Sequence, residues 1–157
     1  MTKDFTKVPV KALNLCEDSN IKFFLSEQEE NGKKKRCMSM TGYSGGVIRN
    51  HWWWGNLAID ISGMSFPKKS YPILRDHSTS MIIGHSPKPK TDDNKLQFDD
   101  VVLCDTEWAN DFLARSDEGV PFEASIYAQP TSIERVEEGE IVDVNGYKFK
   151  GPGTIWR

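Results

Sequence analysis

Short runs of alternating apolar and polar residues, separated by turn-forming residues, dominate the chain from residue 37 onward. Such alternation, rich in β-branched and aromatic residues, is typical of half-buried strands. It predicts strands over residues 38–43, 52–61, 71–74, 81–83, 96–103, 122–128, 141–144 and 147–149. Asn145-Gly146 separates the last two runs and is the strongest hairpin signal in the chain, because both residue types accept the positive φ of a tight turn.

One segment has a helical period instead. Trp108 and Phe112 lie four residues apart within residues 107–117, so they share one apolar face of a helix. Asp105 or Thr106 is placed to cap the first backbone N–H groups of that helix. The pattern as a whole predicts a single β-dominated domain, a barrel or a sandwich, with at least one packed helix.

The first 35 residues differ from the rest. Residues 26–36 place acidic and then basic side chains around Asn31-Gly32, which is typical of a solvated hairpin tip or a mobile loop. We therefore divide the chain into residues 1–35, an N-terminal extension or extra strand with a charged loop, and residues 36–157, the main domain.

Charge and composition narrow the classes of function. The 157 residues include 20 Lys and Arg against 23 Asp and Glu, a net charge of −3, which argues against a general phosphate-binding surface and hence against nucleic acid as a partner. No apolar run approaches the roughly 18–20 residues of a spanning helix, and no signal peptide is recognisable. We therefore expect an intracellular protein that does not associate with membranes. Cys16, Cys37 and Cys104 show no C-x-x-C spacing; neither a disulfide framework, nor a metal site, nor a cofactor is predicted.

Ser125 is the first candidate for chemistry. On the predicted strand 122–128 it shares a face with Glu123 and Tyr127, opposite the apolar side chains. An exposed serine on a strand acts as a nucleophile only when a base within hydrogen-bond reach takes its proton. Serine is common in strands, so an ordinary surface residue is the simpler interpretation from the residue alone.

Three histidines, His51, His77 and His85, are the available bases. His77 follows a predicted strand, where loops commonly present functional groups, but the residues alone do not single out one of the three.

The triplet Trp52-Trp53-Trp54 cannot place all its rings on one side of a strand. At least one ring is therefore exposed or at an edge, which suggests a surface that binds a partner. The simpler interpretation is one core aromatic residue and one interface residue.

Several segments, in order, resemble the prohead proteases of tailed bacteriophages. They are MTGYSGG (40–46), AIDISGM (58–64), PILRDH (72–77), IIGH (82–85), GVPFEASI (119–126), and the hairpin from VNG (144–146) to FKGP (149–152). Each motif is short, but their order and spacing are fairly specific, and together they span about residues 38–157.

The resemblance implies a serine endopeptidase of capsid maturation with a fold like the herpesvirus assemblins, a mainly β single domain in which helices pack around a β-barrel. It implies that Ser125 is the nucleophile and His77 the base. It also implies a third, acidic triad member past Arg157, so we expect the chain to be shortened at its C-terminal end.

The implied substrates and partners are the scaffold and major capsid protein of a phage or prophage, and the enzyme itself. The implied place is the immature capsid in the bacterial host cytoplasm. A homodimer or higher oligomer is left open. The alternative is a catalytically inactive scaffold or capsid-binding module of the same fold, docking through its tryptophans; a small β domain with an unrelated ligand is a third interpretation.

Overall fold

The computed structural model describes residues 8–16, 26–30 and 32–157. The strands are β1 (Asn14–Cys16), β2 (Ser26–Glu30), β3 (Lys33–Tyr43), β4 (Ile48–His51), β5 (Gly55–Ile59), β6 (Ser70–Leu74), β7 (Ile82–Pro87), β8 (Leu96–Leu103), β9 (Ser125–Tyr127), β10 (Ile133–Val136), β11 (Ile141–Val144), β12 (Tyr147–Lys150) and β13 (Gly153–Trp156). The α-helix α1 spans Glu107–Asp117, and short 3-10 turns lie at Val10–Leu13, Ile61–Gly63 and Asp92–Asn94.

The strands form two larger and two smaller sheets. The five-stranded sheet has the order β2-β3-β8-β7-β6 and is antiparallel throughout. The four-stranded sheet has the order β10-β13-β5-β4, and β13 runs parallel to β5 within it. β1 pairs with β9, and β11 pairs with β12.

The mainly β class is confirmed, but the closed, assemblin-like barrel is wrong. A barrel closes only when the two outer strands of a sheet hydrogen-bond to each other. Within the described residues, β2 pairs only with β3, and β6 pairs only with β7, so the larger sheet stays open. The sequence explains both edges, because β6 contains Pro72 and β2 is rich in glutamate, and both features discourage pairing at a sheet edge.

Several predicted elements are confirmed. The helix spans the predicted residues 107–117, and the Thr106 hydroxyl caps it by accepting a hydrogen bond from the Ala109 N–H. Strand β8 matches the predicted 96–103, and β11 and β12 form the predicted hairpin. These elements are encoded by residues close together in the chain.

The strand predicted over residues 52–61 is wrong at both ends, since β5 spans Gly55–Ile59 and Ile61 begins a 3-10 turn. Trp52, Trp53 and Trp54 form the turn between β4 and β5. The His51 Nδ1 accepts hydrogen bonds from the Trp53 and Trp54 N–H groups at 3.1 and 3.2 Å. This side chain closes the turn, and only the following β5 is extended.

Helix α1 packs on one face of the five-stranded sheet. Its residues Ala109, Phe112 and Leu113 join a buried cluster with side chains of β3, β7 and β8. A second cluster contains Tyr43, Trp54, Leu57 and Trp156. The first of these clusters holds the apolar face of the helix against the sheet.

The segment 10–16 packs against the main body of the protein. Leu13 belongs to the cluster that contains Trp54, and the Trp54 Nε1–H donates to the Ala12 carbonyl at 2.7 Å. The charged segment is a hairpin of β2 and β3 in which Glu29 lies opposite Lys34. Strand β3 runs without a break through the predicted boundary between residues 35 and 36.

No helix in residues 8–16, 26–30 and 32–157 is long and apolar enough to cross a membrane.

Asn145 does more than form the hairpin turn. Its Nδ2 donates to the carbonyls of Gly45 at 3.1 Å and Ile59 at 2.6 Å, and its Oδ1 accepts from the Ile61 N–H at 3.0 Å. One side chain therefore joins the hairpin to two distant segments.

We expect Asn145→Asp to lower the free energy of unfolding by about 1–3 kcal/mol, because a carboxylate oxygen replaces the amide N–H group that donates to two carbonyls. Urea unfolding should show a lower midpoint with an unchanged slope. Asp143→Asn, an exposed change on the same hairpin, is the control and should stay within about 0.5 kcal/mol of the wild type. Equal midpoints for the two variants would contradict the role given to Asn145.

Candidate active site

Ser125 is the first residue of β9, and β1 pairs with this strand. The register places Cys16 opposite Ser125. Ser125 and its face neighbours Glu123 and Tyr127 are exposed, whereas Ala124 between them is buried. The alternation has the predicted phase, although the regular strand is only residues 125–127 rather than 122–128.

His77 lies in the loop that follows β6. Asp76 and His77 both have left-handed backbones, with φ values of 50° and 56°, a conformation in which Asp and His are enriched among non-glycine residues. The Arg75 N–H donates to the Met81 carbonyl at 2.9 Å, and the Arg75 carbonyl accepts from the Ser78 N–H at 2.9 Å. These bonds close the loop and fix where the imidazole emerges from it.

The structure brings these two side chains together. The His77 Nε2 and the Ser125 Oγ are 2.8 Å apart, across 48 positions of sequence. This is hydrogen-bond distance, and it is the arrangement that a serine nucleophile needs with its general base. With the proton on Nδ1, Nε2 accepts the hydrogen bond of the hydroxyl.

The protonation of His77 suits that role. Partial burial lowers the pKa of His77 below its ordinary value of 6.5, while the charge of Asp76 opposes this shift. At neutral pH the imidazole is therefore mainly uncharged, which is the form that accepts a proton.

A groove of about 1050 Å³ contains the pair. Its walls include Met40, Ile73, Phe98 and Phe122, and the whole of residues 71–77 lines one side. Gly42 makes room for one of these rings, because a Cβ at this position would lie 2.7 Å from the Phe98 Cε2. The groove is thus largely apolar, and His77 and Ser125 both line it.

Two charged side chains of the groove lining, Asp60 and Arg157, are paired with each other. Arg157 donates to Asp60 at 2.7 Å and to Glu134 at 2.6 Å. Burial would raise the pKa of Asp60, but hydrogen bonds from Ser62 and Arg157 outweigh it and hold that pKa below its ordinary value. Asp60 is therefore an ionised partner of Arg157 at neutral pH and not a proton donor.

No known protein family, curated protein or solved structure matches the chain. A functional assignment therefore depends on the geometry of the site and on the motifs of the sequence.

The other candidate residues lie elsewhere. His51 closes the tryptophan turn, and His85 is exposed on β7, outside the groove. Trp54 is buried at 5% exposure, whereas Trp52 and Trp53 are 63% and 46% exposed. Of the three histidines, only His77 meets the serine.

A serine–histidine pair usually has a third, acidic group that hydrogen-bonds to the histidine and orients it. In the described part of the chain, no carboxylate hydrogen-bonds to His77, and Asp76 acts on it through its charge. Arg75 and Asp111 were not among the residues predicted from the sequence; Arg75, two residues before His77, donates a hydrogen bond to Asp111 of α1 across 36 positions. Asp111 and Arg115 form an i,i+4 ion pair on α1, and no local signal in the sequence connects Asp111 to Arg75.

Proposed function

We propose that this chain is a serine endopeptidase of tailed-phage capsid maturation. The observation that carries the proposal is the 2.8 Å approach of His77 Nε2 to Ser125 Oγ. In the reaction, His77 accepts the Ser125 proton as Oγ attacks the scissile carbonyl, and then returns that proton to the leaving amine. Water, activated by the same imidazole, hydrolyses the acyl-enzyme and restores the serine.

The groove favours a polypeptide as the substrate. Strand β6 forms one side of it, and in the described residues β6 has a hydrogen-bonded neighbour only on its β7 side. Pro72 limits pairing along the outer edge of this strand because it has no N–H, but the other residues of the strand offer backbone groups that pair with an extended peptide. Apolar walls beside that edge accommodate the side chains of the bound segment.

The motifs favour capsid maturation among the functions of serine hydrolases. The segments PILRDH and GVPFEASI, which resemble the prohead proteases, contain the two residues that meet in the groove. The proposed substrates are the scaffold, the major capsid protein and the enzyme itself, inside the immature capsid in the cytoplasm of the bacterial host.

A fluorophosphonate probe tests the proposal, because it forms a stable bond only with an activated serine. Intact mass should show one adduct per chain, and peptide mapping should place it on Ser125. Co-expression with the scaffold and capsid proteins of the same phage should yield cut products. A chain that is folded but neither reacts with the probe nor cuts these proteins would overturn the proposal.

The exposed Trp52 and Trp53 favour a second candidate function, a capsid-binding module without catalysis. Their rings lie 5.6 Å apart, and the His51 ring stacks on Trp52, so they form a contiguous aromatic surface. In this case Trp53→Ala would weaken binding to capsid protein, whereas Ser125→Ala would leave assembly unchanged. The protease predicts uncut precursors in Ser125→Ala.

The rate of fluorophosphonate labelling should depend on pH through His77. The rate should rise with pH as the imidazole loses its proton, and the midpoint should lie below 6.5 because burial lowers this pKa. Asp76 stabilises the imidazolium, so Asp76→Asn should move the midpoint to still lower pH; asparagine also tolerates the left-handed backbone. Asp143→Asn is the control. A midpoint above 6.5, or an upward shift in Asp76→Asn, would contradict this account.

A further inference from the structure

Arg75 connects the loop that carries His77 to helix α1. It stands two residues before His77, and its Nη1 donates to the Asp111 Oδ2 of the helix at 2.9 Å. Its guanidinium also lies over the Trp108 ring, 5.5 Å from the ring centroid. One side chain thus makes an ion pair and a cation–π contact with two residues of the same helix.

The helix is a firm anchor for this contact. Ala109, Phe112 and Leu113 are buried against the five-stranded sheet, so the position of Asp111 is determined by the packing of the core. Arg115 also donates to the Asp111 Oδ2 at 2.9 Å, one helical turn further on. The carboxylate is therefore held between two guanidinium groups.

The loop from Arg75 to Met81 carries His77 and is called the base loop below. Asp76 and His77 occupy left-handed backbone conformations, which persist only where the surroundings hold them. The Arg75 Nε also lies 3.7 Å from the carboxylate of Asp76, the residue that directly precedes His77. The backbone bonds of Arg75 close the loop, and its guanidinium ties the closed loop to the helix.

We propose that Arg75 is a positioning residue, which holds the His77 imidazole in line with Ser125 by tying the base loop to Asp111 and Trp108 of α1. The inference rests on the proposed function, since it concerns the geometry of the same reaction. A displacement of about 1 Å in a catalytic group lowers a rate by about 10²-fold, so a modest movement of the loop has a large effect.

The experiment measures the maximal rate of Ser125 labelling and the half-saturating probe concentration, with a fluorophosphonate and the full chain. Arg75→Met should lower the maximal rate by about 10–100-fold and change the half-saturating concentration by less than about threefold. Arg75→Lys keeps a charge for Asp111 but not the planar guanidinium, and should recover part of the rate. Arg36→Met removes a different guanidinium contact with α1, the hydrogen bond from Arg36 Nη2 to the Asn110 Oδ1 at 2.9 Å; Arg36 lies outside the groove lining, so this control should label within about threefold of the wild type.

A double variant of Arg75 and Asp111 tests whether the two residues act through their mutual contact. Asp111→Asn should also reduce the rate, and the double variant should label little more slowly than Arg75→Met alone, because both changes weaken the same Arg75–Asp111 pair. Melting temperatures of all variants separate this role from a loss of stability, since a purely structural role lowers them and leaves the rate of the folded fraction unchanged. A normal maximal rate in folded Arg75→Met would overturn the inference, whereas an unreactive wild type would overturn the proposed function itself.

Discussion

Replacing Ser125 with alanine is expected to abolish labelling by a fluorophosphonate and to leave the scaffold and capsid precursors uncut. In the proposed mechanism the acyl-enzyme forms on the Ser125 Oγ, and alanine has no such atom. In hydrolases of this mechanism, loss of the nucleophile lowers kcat by about 10⁶-fold. The folded structure should be preserved, because Ser125 is exposed and its strand pairs through backbone groups.

Ser132→Ala is the matched control for this change. Ser132 is also exposed, and its hydrogen bonds to Arg157 are made by the backbone, so alanine retains them. The control should label and cleave like the wild type. Continued cleavage in Ser125→Ala, with purified protein and no host protease, would exclude Ser125 as the nucleophile.

Replacing His77 with asparagine should lower the labelling rate of Ser125 by about 10²–10⁴-fold, the usual contribution of a general base. Asparagine is preferred to alanine for this test because position 77 has a φ of 56°, and asparagine adopts that backbone more readily. The variant keeps a polar side chain near Oγ but has no group that takes up a proton at neutral pH. The dependence of the rate on pH between 5 and 8 should disappear with it.

His85→Asn is the control for the second change. His85 is exposed on β7 and lies outside the groove, so its loss should leave the rate and its pH dependence unaltered. If His77→Asn labelled as fast as His85→Asn, the proton of Ser125 would have to go to another base. The 2.8 Å contact would then be a surface hydrogen bond.

The error in the fold prediction has a specific physical source. Alternation along the sequence shows that a segment is extended and which side chains share a face, and it was sufficient for β8 and for the β11–β12 hairpin. It does not show whether the outer strands of a sheet meet. That depends on strand order and on edges such as Pro72 of β6, and here the sheet remains open.

In the tryptophan turn, the tendency of three aromatic residues to form a strand competes with the burial of their rings. Three large rings in succession favour extended structure by propensity, but successive side chains of a strand face opposite sides. The chain places one ring, Trp54, in the core and exposes the other two in a turn closed by His51. A hydrogen bond from the backbone to a neighbouring side chain outweighs propensity at this position.

The sequence by itself determined the β-rich composition of the chain, helix α1 with its Thr106 cap, the Asn145-Gly146 hairpin, and the phase that turns Ser125 outward. Each of these depends on residues within a few positions of one another, where geometry follows from the period of the side chains. Only the tertiary structure decided that β1 pairs with the strand of Ser125, that Arg75 reaches Asp111, and that His77 Nε2 lies 2.8 Å from Ser125 Oγ. These contacts join residues 36 or more positions apart, and they arise from how the sheets and the helix pack, which no short window of sequence contains.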